Sequence, residues 1–483
     1  MSHQDRTSRI VINYQTIKQV IDLLLVPVLF AGMTVRARTT WKPRMIAAGA
    51  LFWATSDLPN LTDRFQQARK IVTKIFRWQL APGQTYQGFM KMLRKWHTNL
   101  MLAIVPHVRV QMKELLPGQW TIAGYVVFAG DGSRIELART ESLEDAFSPQ
   151  KKKQKRRNQR AGKGRRGRAK SSAKQNRTKK QSAASVAKKA NSPQMWLTLL
   201  WHVGSGLPWA WRSGPSDSSE REQLQQTLAE LPENSLITAD AGFVGYDFWK
   251  AILDARQNFL IRVGGNVRLL KKLGYAREYD HVVYIWPNEA AKKKQPPLVL
   301  RLIVIHNGKH PVYLLTNLTK TQLSDQQAAT IYGARWGIEL FFRTFKQTFG
   351  RRKLRSRAAE NARLELDWSL VALWCACLLG QRELMECGQN PARLSPALAI
   401  RALQNTLREY RVRPENRAES LWSRLRIAVL DDYERSSSKT SRNYPRKKKR
   451  ERIAPPKITL ATQQQINTAK ELKQQQLGFQ LPA

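Results

Sequence analysis

Acidic residues are what this chain lacks. Only 36 of its 483 residues are Asp or Glu, against 82 Lys or Arg, and the formal net charge is +46. A compact fold with that excess repels itself unless a polyanion offsets it. Lys and Arg that displace condensed counterions from a nucleic acid gain free energy from their release. A merely soluble basic protein gains little from such asymmetry, so a nucleic acid is the expected partner. No basic amphipathic helix stands out to favour an anionic membrane surface.

Cysteine is nearly absent too. Cys375, Cys377 and Cys387 are too few for a disulfide framework. The first two sit in the apolar run Leu370–Leu379, which reads as a buried helix, and no His or Cys neighbour completes a zinc set. This usage suits a reducing interior. None of the seven histidines pairs at metal-ligand spacing, and His202 lies in an apolar strand as a core residue. Long apolar runs are missing as well: Leu23–Phe30 and the cysteine-containing run fall short of the ~20 residues a membrane span needs. The first also lies too far in, and carries Pro27, for a secretion signal. The expectation is a cytoplasmic protein that contacts no membrane. No phosphate-loop pattern is present, so no nucleotide cofactor is expected, and no nucleophile elbow supports serine-hydrolase chemistry.

What the chain does have is 42% hydrophobic residues, including 15 Trp and 15 Phe, enough for a sizeable core. Residues 1–118 read as helical, with Arg64–Leu80 and Tyr86–Leu116 split by Pro82–Gly83. Such a basic lobe can bind a duplex or serve as a packing scaffold. Tyr125–Phe128 is a short β-rich run that stops at Gly130-Asp131-Gly132. Lys151 to Lys189 holds eighteen Lys or Arg and no acid, and should be a disordered loop. Order returns with a hairpin, Trp196–Val203 and Leu207–Arg212, then a helix at Ser219–Leu231. Leu236–Ala239 is a second short strand that ends on an acid, Asp240. A helix over Asp247–Arg256 and a strand over Asn258–Val263 follow. Residues 266–320 alternate turns and strands, a long helix is predicted from Gln322 to about Phe349, and helices continue to about Arg411. The remainder is polar, with a basic knot at Arg446–Arg450. This order predicts an α/β domain with a mixed sheet.

Acids at the ends of buried strands are informative, because clustered carboxylates repel one another until a cation arrives. Mg²⁺ prefers hard oxygen ligands and needs few of them. Two such ions ~4 Å apart serve both ends of an in-line phosphodiester displacement. Asp131 and Asp240 fit that use, though either alone could simply begin a loop. The third signal is the helix around Glu339. At about 100° per residue, Tyr332, Arg335, Glu339 and Lys346 fall within roughly one 60° stripe, with Arg343 beside it. Ala334, Ile338, Phe341, Phe345 and Phe349 occupy the opposite face. A Glu339–Arg343 surface pair would explain two of these residues but not the whole stripe.

Taken together, Y-x2-R-x3-E-x6-K over Tyr332, Arg335, Glu339 and Lys346 resembles the signature of insertion-sequence-four type DDE transposases. Asp131-Gly132-Ser133, followed by Phe147, is similar to that family's first-carboxylate motif, and Asp240-Ala241-Gly242-Phe243 to its second. The β-rich stretch between Asp240 and Glu339 is also similar. The resemblance spans about residues 120–355, and the Lys151–Lys189 run departs from it.

The resemblance implies a ribonuclease-H-like mixed sheet with flanking helices. Its parts would be an N-terminal helical DNA-binding domain (1–118), a catalytic domain (119–150, 191–265 and 321–411), a disordered basic insertion (151–190), a β-rich insertion (266–320) and a polar basic tail (412–483). Asp131, Asp240 and Glu339 would be catalytic ligands of two Mg²⁺ ions, with Mn²⁺ able to substitute. Tyr332, Arg335 and Lys346, with Arg343 nearby, would bind DNA. The implied activity is cut-and-paste transposition by a homodimer on paired double-stranded ends, in the bacterial cytoplasm and at the nucleoid. A hairpin step would require an extruded base, and Trp286 is the candidate to hold it, with core packing as its other reading. Two further functions stay open: a transposase-derived DNA-binding protein without catalysis, and a nuclease of RNA–DNA hybrids on the same fold.

Overall fold

The computed structural model describes residues 17–149, 193–278, 281–307, 310–409, 420–430 and 454–478. The basic run 151–190 and the knot Arg446–Arg450 lie outside the described residues.

The first strands are those with the densest apolar runs: β1 (Val126–Glu136), β2 (Gln194–His202), β3 (Leu207–Gly214), β4 (Ser235–Ala239) and β5 (Asn258–Val263). They lie side by side in the order β3-β2-β1-β4-β5. β1, β4 and β5 run parallel, while β2 is antiparallel to both β1 and β3. This is the ribonuclease-H-like arrangement that the resemblance implied. All five residues of β4 are buried, as expected for a central strand covered on both faces.

The strands of 266–320 do not form a separate layer. β6 (Arg268–Lys271), β7 (Val282–Ile285), β8 (Leu298–Asn307) and β9 (His310–Thr316) continue the same sheet through the antiparallel pairing of β9 with β5. A strand from the tail, β10 (Lys457–Leu460), pairs with β6 and makes ten. No pattern in the sequence signals β10, which is four residues long and exposed throughout.

The helices used below are α1 (Pro43–Thr55), α2 (Leu61–Ile75), α3 (Tyr86–Leu115), α4 (Glu220–Gln225), α5 (Tyr246–Asp254), α6 (Asp325–Ala334), α7 (Gly337–Arg343) and α8 (Ala359–Glu386). α8 is apolar almost all round and is correspondingly buried, with Trp368, Trp374, Cys375 and Cys377 inside it. Burial raises the Cys375 thiol to about 12, so it stays a protonated packing group. His202 is buried as expected. It lies 2.8 Å from the Ser205 hydroxyl and 3.0 Å from the Trp120 carbonyl, and desolvation pulls it down to about 4.

The N-terminal helices are built into the body. His97 of α3 meets Asp367 of α8 at 3.0 Å, and Arg109 of α3 donates to the Trp209 carbonyl of β3. From the other side Arg351, fully buried, reaches the backbone carbonyls of Ala54 and Ser56 at the end of α1. The scaffold role open to this lobe is thus visible in its contacts.

Candidate active site

Three stretches far apart in sequence meet at one end of β1 and β4. Gly130 and Ala239 are register partners in the parallel pair, so Asp131 and Asp240 follow as the next residue on adjacent strands. The apolar run predicts an end to β1 at Asp131, but the strand runs on to Glu136. The reason lies in its partners: β4 stops at Ala239, whereas β2 keeps pairing as far as Glu136. Asp131 therefore sits where one neighbour lapses and the other continues, leaving room on one side of the strand.

Each aspartate is held by one oxygen. The Oδ1 of Asp131 accepts from the Gly132 N–H at 2.8 Å, and the Oδ1 of Asp240 accepts from the Gly242 N–H at 2.8 Å. Among the described residues the second oxygen of each accepts no hydrogen bond. Burial lifts the Asp131 carboxyl to about 6, and the charges of Asp240 and Glu339 add to the rise against the Gly132 hydrogen bond and Arg335. Both other carboxylates of the predicted trio are thus electrostatic neighbours of Asp131.

Glu339 reaches this place on a helix fixed at both ends. Near its start, Gly337 lies so close to Trp201 of β2 that a Cβ there would stand 2.1 Å from the indole ring. Past its end, the backbone of Glu136 and that of Arg352 and Leu354 exchange hydrogen bonds of 2.9 and 3.0 Å. Lys346 donates to the hydroxyl of Ser133, two residues past Asp131. α7 is thereby laid along β1.

The single helix predicted over Gln322–Phe349 is three pieces. α6 begins at a capping box, Ser324 with Gln327, as a strong start signal should. It ends at Ala334, a turn at Arg335–Trp336 leads into α7, and Thr344–Thr348 forms a π-helical turn. π turns are frequent at functional sites, and this one carries Lys346. The break exposes Ala334, which the helical stripe places in the core, while Ile338, Phe341, Phe345 and Phe349 are buried as expected. Arg343 is exposed, and Glu339 pairs instead with Arg335 at 3.5 Å.

Around the carboxylates stand donors without acceptors. The Tyr332 hydroxyl and the Arg335 Nε are buried and unpartnered, with the guanidinium 5.4 Å from the Tyr332 ring centre. Burial and the nearby Arg352 lower the Lys346 ammonium, against the pull of Asp131 and Glu136. Trp286 does not join the group: it is buried, and its indole N–H donates to the Gln295 carbonyl at 2.9 Å, which is the core-packing reading.

One acid that the sequence pattern does not single out is Glu220, at the start of α4. Burial raises its carboxyl to about 7, with Asp131 and Asp240 adding to the rise. Among the described residues no three His, Cys, Asp or Glu side chains close tightly enough to hold an ion as they stand. A divalent cation bound among such carboxylates would offset their mutual repulsion. Hard oxygens with one free atom per aspartate fit Mg²⁺ or Mn²⁺.

A ribonuclease-H-like sheet with acids on β1, just past β4 and on a flanking helix, in a strongly basic chain, defines the class. The sequence matches the family described as "Transposase DDE domain" over residues 123–375, more than half of the chain, and the chain belongs to that family. Within it the chain is similar to "Transposase InsG for insertion sequence element IS4" of Escherichia coli (strain K12), at 28% identity over 191 residues. That alignment covers 37% of this chain and 42% of the relative, so less than half of the relative's length is spanned. Among solved structures it aligns with the piggyBac transposase in a synaptic complex with hairpin DNA. The TM-score is 0.38 with 10% identity, covering 88% of each chain.

Proposed function

We propose that this chain is a DNA transposase of the cut-and-paste kind. It would bind the terminal inverted repeats of its element, cleave the ends through a hairpin intermediate and join the 3′-OH ends to target DNA. The observation that carries this reading is the placement of Asp131 and Asp240 side by side at the ends of a parallel strand pair, with Glu339 near enough to act on Asp131 and with unpartnered donors on Tyr332 and Arg335.

Asp131, Asp240 and Glu339 are the residues that would hold two divalent ions, Mg²⁺ with Mn²⁺ as substitute. When bound, those ions supply an oxygen nucleophile at neutral pH and neutralise charge on the leaving oxygen. Arg335 presents a planar fork suited to two phosphate oxygens, while Lys346 offers a point charge and Tyr332 a hydroxyl. Buried donors without acceptors cost stability until one arrives, so a phosphate placed there recovers a deficit already present. Synapsis by a homodimer, DNA binding by residues 1–118 and work in the cytoplasm belong to the same proposal. Among the described residues no helix is long and apolar enough to cross a membrane.

The test is strand transfer. An oligonucleotide carrying the element's own end is incubated with plasmid, Mg²⁺ and either the intact chain or Glu339→Ala. The intact chain should cleave and join it, and Glu339→Ala should bind it and do neither. Binding without cleavage by the intact chain would leave a DNA-binding protein derived from a transposase.

The basic run gives a second expectation, which rests on charge alone. Removing residues 151–189 deletes eighteen cations. Every phosphate that these cations no longer neutralise reduces the magnitude of the negative slope of log affinity against log salt by about 0.9 for duplex DNA. The deletion should weaken binding and flatten its salt dependence by several units while the footprint on the ends persists. A footprint that vanishes together with the affinity would show that this run reads sequence.

A further inference from the structure

We propose that Glu220 is a fourth carboxylate of the metal centre, a ligand on the Asp131–Asp240 side of the site. The inference rests on the nuclease reading above and adds a residue to it.

The placement is geometric. Glu220 opens α4, whose start is fixed by the Ser219 hydroxyl accepting from the Glu222 N–H. An acid in a first helical turn usually faces solvent and complements the helix dipole. This one turns inward, between the two glycines that flank the aspartates. A Cβ on Gly132 would stand 2.7 Å from the Glu220 Oε1 and 2.8 Å from the Trp196 ring. A Cβ on Gly242 would stand 3.0 Å from the Asp240 Oδ1 and 3.7 Å from the Glu220 Oε2. Gly132 leaves the space that the Glu220 carboxylate occupies, and at Gly242 the same carboxylate lies within ordinary contact distance, beside the Asp240 oxygen.

The charges around Glu220 point the same way. Cations outnumber acids more than twofold in this chain, yet the Glu220 carboxylate forms no ion pair and accepts no hydrogen bond among the described residues. The Arg134 guanidinium pulls on it electrostatically but lies over the Trp196 ring, 5.1 Å from its centre, and makes no ion pair with it. A half-buried carboxylate that feels two others and has no ion-pair or hydrogen-bond partner among the described residues is costly as ordinary packing. A divalent ion removes that cost for all of them. Mg²⁺ takes six oxygens, and Asp131 and Asp240 each give one oxygen to the backbone, so a pair of ions has use for another donor, direct or through water.

The experiment uses the full-length chain without DNA. Metal-free native protein, Glu220→Gln, Glu220→Asp and Asp131→Asn are titrated with Mn²⁺ while the melting temperature is followed. Mg²⁺ dependence of end cleavage is measured alongside. Gln keeps the volume of Glu, and its metal-free melting curve reports that it is folded. Glu220→Gln should need at least about tenfold more Mn²⁺ for half its thermal shift, and more Mg²⁺ for half-maximal cleavage. Glu220→Asp should fall between Gln and the native chain. Native titration by Glu220→Gln, with the response of Asp131→Asn abolished, would overturn this inference and leave the nuclease reading standing. A native metal response in Asp131→Asn would remove the nuclease reading and this inference together.

Discussion

Asp131→Asn should melt at a higher temperature than the native chain when both are free of metal, and should cleave DNA at least about 10³-fold more slowly. The two effects have one cause. The carboxyl stands at about 6 in the folded protein against an ordinary 3.8, because it is buried and faces Asp240 and Glu339. A folded value above the unfolded one means that stability is complete below about pH 4 and is lost as pH rises through about 6. At neutral pH the loss is on the order of 2–3 kcal/mol. Asparagine cannot ionise and avoids it, so the variant should gain a few degrees at pH 7.5 and nothing at pH 3.5. Glu220 acts in the same direction up to about 7. His202, pulled down to about 4, acts in the opposite one and destabilises the fold as pH falls from about 6.5. The difference between variant and native chain is therefore the quantity to follow, not the shape of either profile. With Mg²⁺ the order should reverse, because the native carboxylate then has a cation to bind. Losing one ligand of a metal that contributes several kcal/mol to the transition state gives the thousandfold drop in cleavage. A variant no more stable than the native chain at pH 7.5 without metal would show that Asp131 is not under that strain.

How far the sequence disclosed this site follows from what each residue's neighbours are. Asp131 and Asp240 are legible because each follows a run of apolar β-formers that can only be an interior strand. The distance in sequence between them is irrelevant once both strands are central. Glu339 is legible from a helical stripe, although the helix itself is broken and Ala334 leaves the buried face. The break at Arg335–Trp336 and the π turn that follows leave Glu339 and Lys346 facing β1, because contacts with Trp201, Ser133 and Glu136 set the orientation instead of the helical period. Those contacts are non-local and leave no periodic trace. Glu220 is invisible for a different reason: Ser-Glu at a helix start is an ordinary cap, and only the fold shows that it faces inward. The joining of β9 to β5 is hidden likewise, since a strand's alternation says that it pairs but not with what.

Gly337→Ala is expected to reduce cleavage by about 10²-fold or more while leaving DNA affinity near native. Helix propensity alone predicts the opposite of harm, since alanine stabilises a helix over glycine by about 1 kcal/mol. The backbone at Gly337 is not in the left-handed region, so alanine meets no conformational strain there. The obstacle is steric: the added Cβ would meet three atoms of the Trp201 ring at 2.1, 2.8 and 2.9 Å. That ring belongs to β2 next to a register shift and is nearly buried, so it cannot swing into solvent. α7 must lift instead, and Glu339, two residues along, moves with it. Overpacking of this kind costs about 1–3 kcal/mol of stability, enough to cancel the propensity gain. A displacement of about 1 Å at a catalytic group costs about 10²-fold in rate. Arg343 on the outer face, and the cations elsewhere that dominate affinity, are untouched. The decisive comparison is the pair Gly337→Ala with Trp201→Leu, in which the smaller side chain vacates the contested space. Cleavage should recover relative to Gly337→Ala alone, because the helix can settle back over Asp131. If the double variant is as slow as the single one, the close approach of α7 to β2 is not what places Glu339. Were Gly337→Ala to cleave at the native rate, the acid would not depend on this contact at all.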